Sequence, residues 1–303
     1  MNSLRRVFHK RWQALPFLMI AAILGVSLMS TSPASANHPV LVEGNCDSPV
    51  PGTTIVSPNT CGDYDGDGRI GTAEDTDGAD RIFGTLSAAI GPGTGAAAGT
   101  GANFNGSITI VRSGRFAEAT QVVNPGGNIE ISAAPGVEAI IDAVLQGDPA
   151  GGNIDRQNGV AFLFSTPSDR RVILRNLTIR NWNEGIRATQ AARISVIGCH
   201  IYNNRDFGIR ATDSSRVAVY RSEINATGFR LGSGVTNTTQ FGHGILFEAN
   251  AGGTVAQSLI AGSLRNAILN VSSLGAAGVR YYEVITESNG TDAITNATRV
   301  TEP

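Results

Sequence analysis

The sequence predicts an all-β solenoid, a parallel β-helix, on three observations: a repeat of 22–23 residues in mid-chain, apolar residues that alternate within it over short runs, and a Gly-Ile piece that recurs once per repeat. The segment from Arg171 to Asn181 is followed 22 residues later by Arg193 to Asn203, a third copy starts at Arg216, and a fourth is recognisable at Val255. The copies align Leu174, Val196, Val219 and Val255 in one column and Ile179, Ile201, Ile224 and Ile260 in another. The second piece aligns Ile186, Ile209, Ile245 and Ile268, at intervals of 23, 36 and 23 residues. The excess in the long interval falls in Gly228–Gln240, rich in Gly, Ser, Thr and Asn, and predicts a loop projecting from one coil.

Alternation over runs such as Val172/Leu174, Leu177/Ile179 and Ile186/Ala188 means strands with one buried face. Three such strands make one coil, and coils stacked about 4.8 Å apart place equivalent side chains in ladders. One coil cannot bury its apolar stripe alone; a stack can. The alternative is a leucine-rich-repeat solenoid, whose period overlaps this one and whose spacing Val196-x-x-Cys199-x-Ile201-x-x-Asn204 fits. Against it, Asn181 stands one place off, leucine is sparse, and a β-branched piece occupies the place of that repeat's helix.

Upstream, Asn105–Glu118, Asn128–Ile131 and Ala139–Asp142 read as earlier, less regular coils. Before them Ile82, Phe83, Leu86 and Ile90 share one helical face, which predicts an N-terminal cap helix from Arg81 to Ile90 over the first coil. The expected organisation is a leader over 1–36, an N-terminal segment over 37–80, the β-helix with its cap over 81–275, and a C-terminal cap or tail over 276–303.

The order of a short helix, a strand-turn-strand as in Ile108–Glu118, and repeated strands like Leu177-Thr-Ile-Arg-Asn181 resembles the right-handed parallel β-helix family of pectin-lyase-like proteins. The resemblance covers about residues 80–275. It implies a right-handed single-stranded parallel β-helix; being one of repeat style, it informs activity weakly.

The leader has Arg5, Arg6, Lys10 and Arg11, an apolar stretch from Leu15 to Met29, and Ala34-Ser35-Ala36, the order a secretory signal peptide requires. Cleavage near Ala36 and export to the extracellular space, cell surface or periplasm are expected, with no transmembrane segment in the mature chain. The mature chain then holds 19 arginines, no lysine and 25 acids. The acids crowd the front; from Arg170 to Arg230 eleven arginines face four acids. Net charge and export disfavour a nucleic-acid partner, and the arginine-rich middle suits an anionic one. Cys46 and Cys61 can form a disulfide in an exported chain, while Cys199 sits on an apolar strand as a small hydrophobe.

Asp63-Tyr-Asp65-Gly-Asp67-Gly68-Arg69-Ile70-Gly71-Thr-Ala-Glu74 matches a twelve-residue calcium loop at each diagnostic position. Ca²⁺ needs six to eight oxygens. Asp63, Asp65 and Asp67 would supply carboxylates, Arg69 its backbone carbonyl and Glu74 both oxygens, with Gly68 making the sharp turn. The loop resembles those of EF-hand and dockerin proteins, although Pro58, Cys61 and Gly62 leave no entering helix. The expected cofactor is therefore structural calcium, clamping the N-terminal segment to the cap.

Two places were candidates for catalysis. Gly242-His243-Gly244 resembles the Gly-His-Gly element of polygalacturonases, but no Asp-Asp pair precedes it and it falls in the repeat's own Gly-Ile column, which makes His243 a turn residue beside the inserted loop. Calcium-dependent lyases of the same architecture use an arginine base beside carboxylate-bound calcium. Here Arg187 lies above Arg210, with Glu184 and Asp206 expected to share a turn column one coil apart. These five residues form the candidate ligand face. The sequence points first to an exported, calcium-stabilised, non-catalytic β-helix that binds an acidic polysaccharide or an envelope component; the alternative is a polysaccharide lyase or glycoside hydrolase acting on acidic polysaccharide.

Overall fold

Short parallel strands account for nearly all the regular structure in the computed structural model, which describes residues 40–42, 81–83, 85–90, 106–116, 121–123, 127–143, 159–166, 170–225, 227–228, 242–290 and 293–301. The leader, Cys46, Cys61, the acidic loop Asp63–Glu74 and most of the projecting loop lie outside the described residues.

The described chain opens with β1 (Val40–Val42), β2 (Arg81–Phe83) and the helical turn α1 (Leu86–Ile90). The first coils comprise β3 (Gly106–Ile110), β4 (Gly114–Phe116) and β5 (Gln121–Val123), then β6 (Ile129–Ala133), β7 (Ala139–Asp142) and β8 (Val160–Thr166). The regular repeat follows as β9 (Arg171–Arg175), β10 (Leu177–Arg180) and β11 (Glu184–Gln190), then β12 (Arg193–Ile197), β13 (His200–Tyr202) and β14 (Phe207–Ala211). The next coils are β15 (Arg216–Tyr220), β16 (Glu223–Asn225) and β17 (His243–Phe247), and β18 (Gly252–Ala256), β19 (Leu259–Ala261) and β20 (Ile268–Asn270). Last come β21 (Val279–Tyr282), β22 (Ile285–Glu287), β23 (Ile294–Thr295) and β24 (Thr298–Arg299).

Every third strand pairs with the next of its kind, giving three parallel sheets in the orders β2-β1-β3-β6-β9-β12-β15-β18-β21-β24 (sheet 1), β4-β7-β10-β13-β16-β19-β22 (sheet 2) and β5-β8-β11-β14-β17-β20-β23 (sheet 3). This three-sheet coil is a parallel β-helix; the leucine-rich-repeat alternative, which needs a helix in each repeat, does not apply. The register reproduces the ladders read from the repeat: Ile179, Ile201, Ile224 and Ile260 pair in succession, as do Ile186, Ile209, Ile245 and Ile268. All eight are fully buried in a single hydrophobic cluster. Phe207 pairs with His243 across the long interval, so the stack keeps its register on both sides of it.

Corners decide the coil's shape. Between sheets 1 and 2 each coil from β9 onward turns on one residue in the left-handed region: Asn176, Gly198, Arg221, Gln257 and Glu283, with φ between 48° and 62°. These corners stay in the ladder, for Asn176 N–H donates to the Ile197 carbonyl and Gly198 N–H to that of Tyr220. Between sheets 2 and 3 the connection lengthens from Asn181–Asn183 to the residues between Asn225 and His243.

Two expectations about the ends are corrected. Arg81–Phe83 is not helical: it pairs with Val40–Val42, extending sheet 1 by two strands beyond β3. Ile82 and Phe83 are β-branched and aromatic and favour a strand where an edge is on offer, which leaves Leu86–Ile90 as one helical turn, with Leu86, Ala89 and Ile90 buried. At the other end the coil does not stop at residue 275. The β21–β24 strands continue it, but Tyr281 follows Val255 and Thr286 follows Ile260, so the aliphatic period that marks a coil fades there.

Candidate functional site

On sheet 3 the strand period sends Ile186 and Ala188 inward and Arg187 outward, and Glu184 is buried at the start of the strand. Glu184 is 1% exposed and receives both nitrogens of an Arg187 fork, Nε to Oε2 at 2.7 Å and Nη2 to Oε1 at 2.5 Å. Arg210, paired with Arg187 in register, donates from Nη1 to Glu184 Oε1 at 3.4 Å and from Nε to Glu248 Oε2 at 2.7 Å. Its guanidinium also lies 5.3 Å from the centroid of the Phe207 ring. The Glu184 carboxylate holds the Arg187 guanidinium above its ordinary range, the opposite of what an arginine base requires.

The expected pairing of Glu184 with Asp206 does not occur. Glu184 stands opposite Phe207, and Asp206 N–H donates to the Asn183 carbonyl at 2.7 Å. The coil advances 22 residues in sheet 2, from Thr178 to His200, but 23 in sheet 3, from Glu184 to Phe207, so one residue enters between them and shifts Asp206 out of the column. Asp206 instead accepts from its neighbour Arg205, Nε to Oδ1 at 2.9 Å. Glu184, Asp206 and Glu248 are thus each paired with an arginine.

His243 is the first residue of β17 rather than a turn residue, and follows Glu184 and Phe207 in their column. It is 2% exposed, stacks on Phe207 with ring centroids 6.2 Å apart, and its Nδ1 accepts the Asn266 N–H at 3.3 Å. Burial, assisted by the charge of Arg265, pushes its pKa down to about 4, so the ring is neutral at physiological pH. The unfolded chain, where the imidazole titrates near 6.5, therefore binds more protons between pH 4 and 6.5. The stability due to a neutral His243 is fully present above about pH 6.5 and is lost as pH falls towards 4. The melting temperature of a His243→Phe variant is expected to fall less steeply than that of the parent across this window; parallel curves would refute the assignment.

Sequence reasoning missed two participants. Glu248 lies 38 residues from Arg210, a separation hidden by the projecting loop. Asp142, fully buried, accepts from Arg115 Nη2 at 2.5 Å, Arg180 Nε at 2.8 Å and Asn181 Nδ2 at 2.7 Å on sheet 2. Arg180 also donates to the Tyr202 hydroxyl at 2.5 Å, continuing this network into the next coil. Among the described residues no group of three or more His, Cys, Asp or Glu is arranged to hold a metal ion, and no helix is long and apolar enough to cross a membrane. Cys199 is buried, and desolvation pushes its thiol up to about 11, consistent with a packing role.

Residues 146–280 match the family model described as the right handed beta helix region. Among solved structures, that of pectate lyase Pel9A matches at 14% identity and a TM-score of 0.36, over 65% of this chain and 70% of that one. No curated protein matches the sequence. With its three parallel sheets and its ladders in register, the described chain has the fold of a right-handed parallel β-helix.

Proposed function

We propose that this is an exported, calcium-stabilised β-helix that binds an anionic glycan or another envelope component without turning it over. One observation carries the non-catalytic part: the charged groups of the candidate cleft neutralise one another. Glu184 is enclosed between Arg187 and Arg210, Asp206 is paired with Arg205, and His243 is buried and neutral. A general acid or base has to exchange its proton with substrate in reach, and glycoside cleavage takes two such carboxylates flanking one bond. Supporting an anionic ligand is the arginine surplus of residues 170–230.

The test is incubation of the mature chain with uronate-containing polysaccharides. Retention of the polymer without new unsaturated or reducing ends is the expected result. Release of either end would overturn it in favour of a polysaccharide lyase or hydrolase. For the acidic loop, calcium at a hundred times its dissociation constant is expected to add about 2.7 kcal/mol of stability. A calorimetric titration should show this as a binding heat and a raised melting temperature, both absent in Asp65→Ala. No heat with the parent chain would remove calcium from the proposal.

A further inference from the structure

The outward face of sheet 1 is built differently from the candidate cleft. Along one side the register stacks Arg171, Arg193 and Arg216, one per coil and all exposed. Two positions further along the strands come Ile173, Ser195, Ala218 and Thr254, and two beyond these stand Arg175, Ile197, Tyr220 and Ala256, so that Tyr220 is level with Arg216. Arg216 and Tyr220 are four residues apart on the strand, about 13 Å, and successive coils are about 4.8 Å apart. The result is a shallow trough running across the strands, with a cationic wall, a largely uncharged floor and a mixed wall that carries one aromatic ring, Tyr220.

Among the described residues the three wall arginines pair with no acid. Arg115, Arg175, Arg180, Arg187, Arg205 and Arg210 each pair with a carboxylate. The partners of Arg171 and Arg216 are instead neutral. Arg171 donates from Nε and Nη2 to Ser195 Oγ at 3.3 and 3.1 Å. Arg216 Nη1 donates to the carbonyls of Ser214, Ser215 and Asn250 at 3.2, 2.9 and 2.8 Å. Such contacts fix a guanidinium in place without cancelling its charge. The acid nearest Arg216 in sequence, Asp213, is occupied by Thr189 Oγ1 and the Gln190 N–H of the preceding coil.

The ladder is also bounded. Its next position is Gly252, where a Cβ would lie 2.4 Å from the Gly278 carbonyl oxygen, so the following turn fills the space. At the other end the Arg171 N–H is held by Asn128 Oδ1, and Glu130 pairs with Arg175 at 2.8 Å.

We propose that this trough is where the anionic glycan binds: a linear polysaccharide with a regularly repeated carboxylate or sulfate lies along the coil axis, its anionic groups on Arg171, Arg193 and Arg216 and a sugar face on Tyr220. The rung interval is about the length of one sugar ring, so the protein reads charge periodicity rather than a single anionic group. Guanidinium suits both anions through its planar fork. The inference rests on the glycan-binding reading above and gives it a surface other than the candidate cleft.

The mature chain is titrated with polygalacturonate, sulfated dextran and unsubstituted dextran, each at low and high salt. Binding to at least one charged polymer, none to unsubstituted dextran, and weakening by salt are expected; the stronger of the two charged polymers identifies carboxylate or sulfate. Arg193→Glu, a change at an exposed side chain, should weaken binding at least tenfold with an unchanged melting temperature. The triple variant Arg171→Gln/Arg193→Gln/Arg216→Gln should abolish binding, and Tyr220→Ala should weaken it severalfold. If the parent binds neither charged polymer, the glycan reading falls and the trough with it. If the parent binds and both Arg193→Glu and the triple variant bind equally well, the trough is overturned while the glycan reading stands.

Discussion

Replacing Asp142 by alanine is expected to remove about 3–5 kcal/mol of stability and to lower the melting temperature by on the order of 10 °C. Its carboxylate is fully buried, and both oxygens are engaged: Oδ2 by Arg115 and Arg180, Oδ1 by Asn181. Alanine leaves two cations converging on a space with no anion. The arginine side chains are 30% and 20% exposed, so water can recover part of the loss, which favours the lower end of the range. Asp142→Asn keeps the shape but turns an amide NH2 towards donors that need an acceptor, so it is expected to cost nearly as much as alanine. Thermal melts of both variants decide the matter; an asparagine variant as stable as the parent would show that shape, not charge, is what the three donors require.

A second large effect is expected at Gly208. A Cβ there would lie 2.6 Å from Ile224 Cγ2 and 2.7 Å from the Gly244 carbonyl oxygen, one coil further on. Gly185 and Gly244, its equivalents, meet the next coil's backbone at 2.6 and 2.7 Å in the same way. The recurring Gly-Ile piece therefore reflects close approach between coils, and only in the last copy does Ala267 replace the glycine. Gly208→Val is expected to cost about 3 kcal/mol or more, as overpacking that the backbone cannot relieve by a rotamer change. Because each coil of a stack is stabilised by its neighbours, denaturant melts should show loosening on both sides of β14. A loss below about 1 kcal/mol would mean that adjacent coils can part without penalty.

Most of the central fold was legible in the sequence because a ladder repeats its own evidence. Ile179, Ile201, Ile224 and Ile260 carry the same instruction four times, and the register follows it at each step. Legibility failed where the period changed. One extra residue between Tyr202 and Phe207 moved Asp206 away from Glu184, and Tyr281 and Thr286 in apolar columns hid a further coil. At the N-terminal end, Ile82 and Phe83 fit a helical face equally well in sequence, and only pairing with Val40–Val42 makes them a strand. The ion-pair networks were least visible of all. Asp142 is separated by 27 residues from Arg115 and by 38 from Arg180, and no local pattern links them. Individual charged residues were found, but their partners are set by coil stacking and not by spacing along the chain.

The single-residue corner between sheets 1 and 2 recurs five times in succession, at Asn176, Gly198, Arg221, Gln257 and Glu283, whatever happens elsewhere in the coil. It acts as an indexing pin: strands on either side are fixed relative to one another before the rest of the turn is specified. The corner between sheets 2 and 3 also opens on a left-handed residue, at Asn181, Asn203, Gly262 and Ser288, but its length varies from coil to coil, and across its longest interval Phe207 and His243 remain in register. Variation is thereby segregated by geometry. One edge of the coil conserves strand alignment, and the other can lengthen, shorten or exchange its connections, which makes it the natural place to graft new sequences onto this scaffold without rewriting its core.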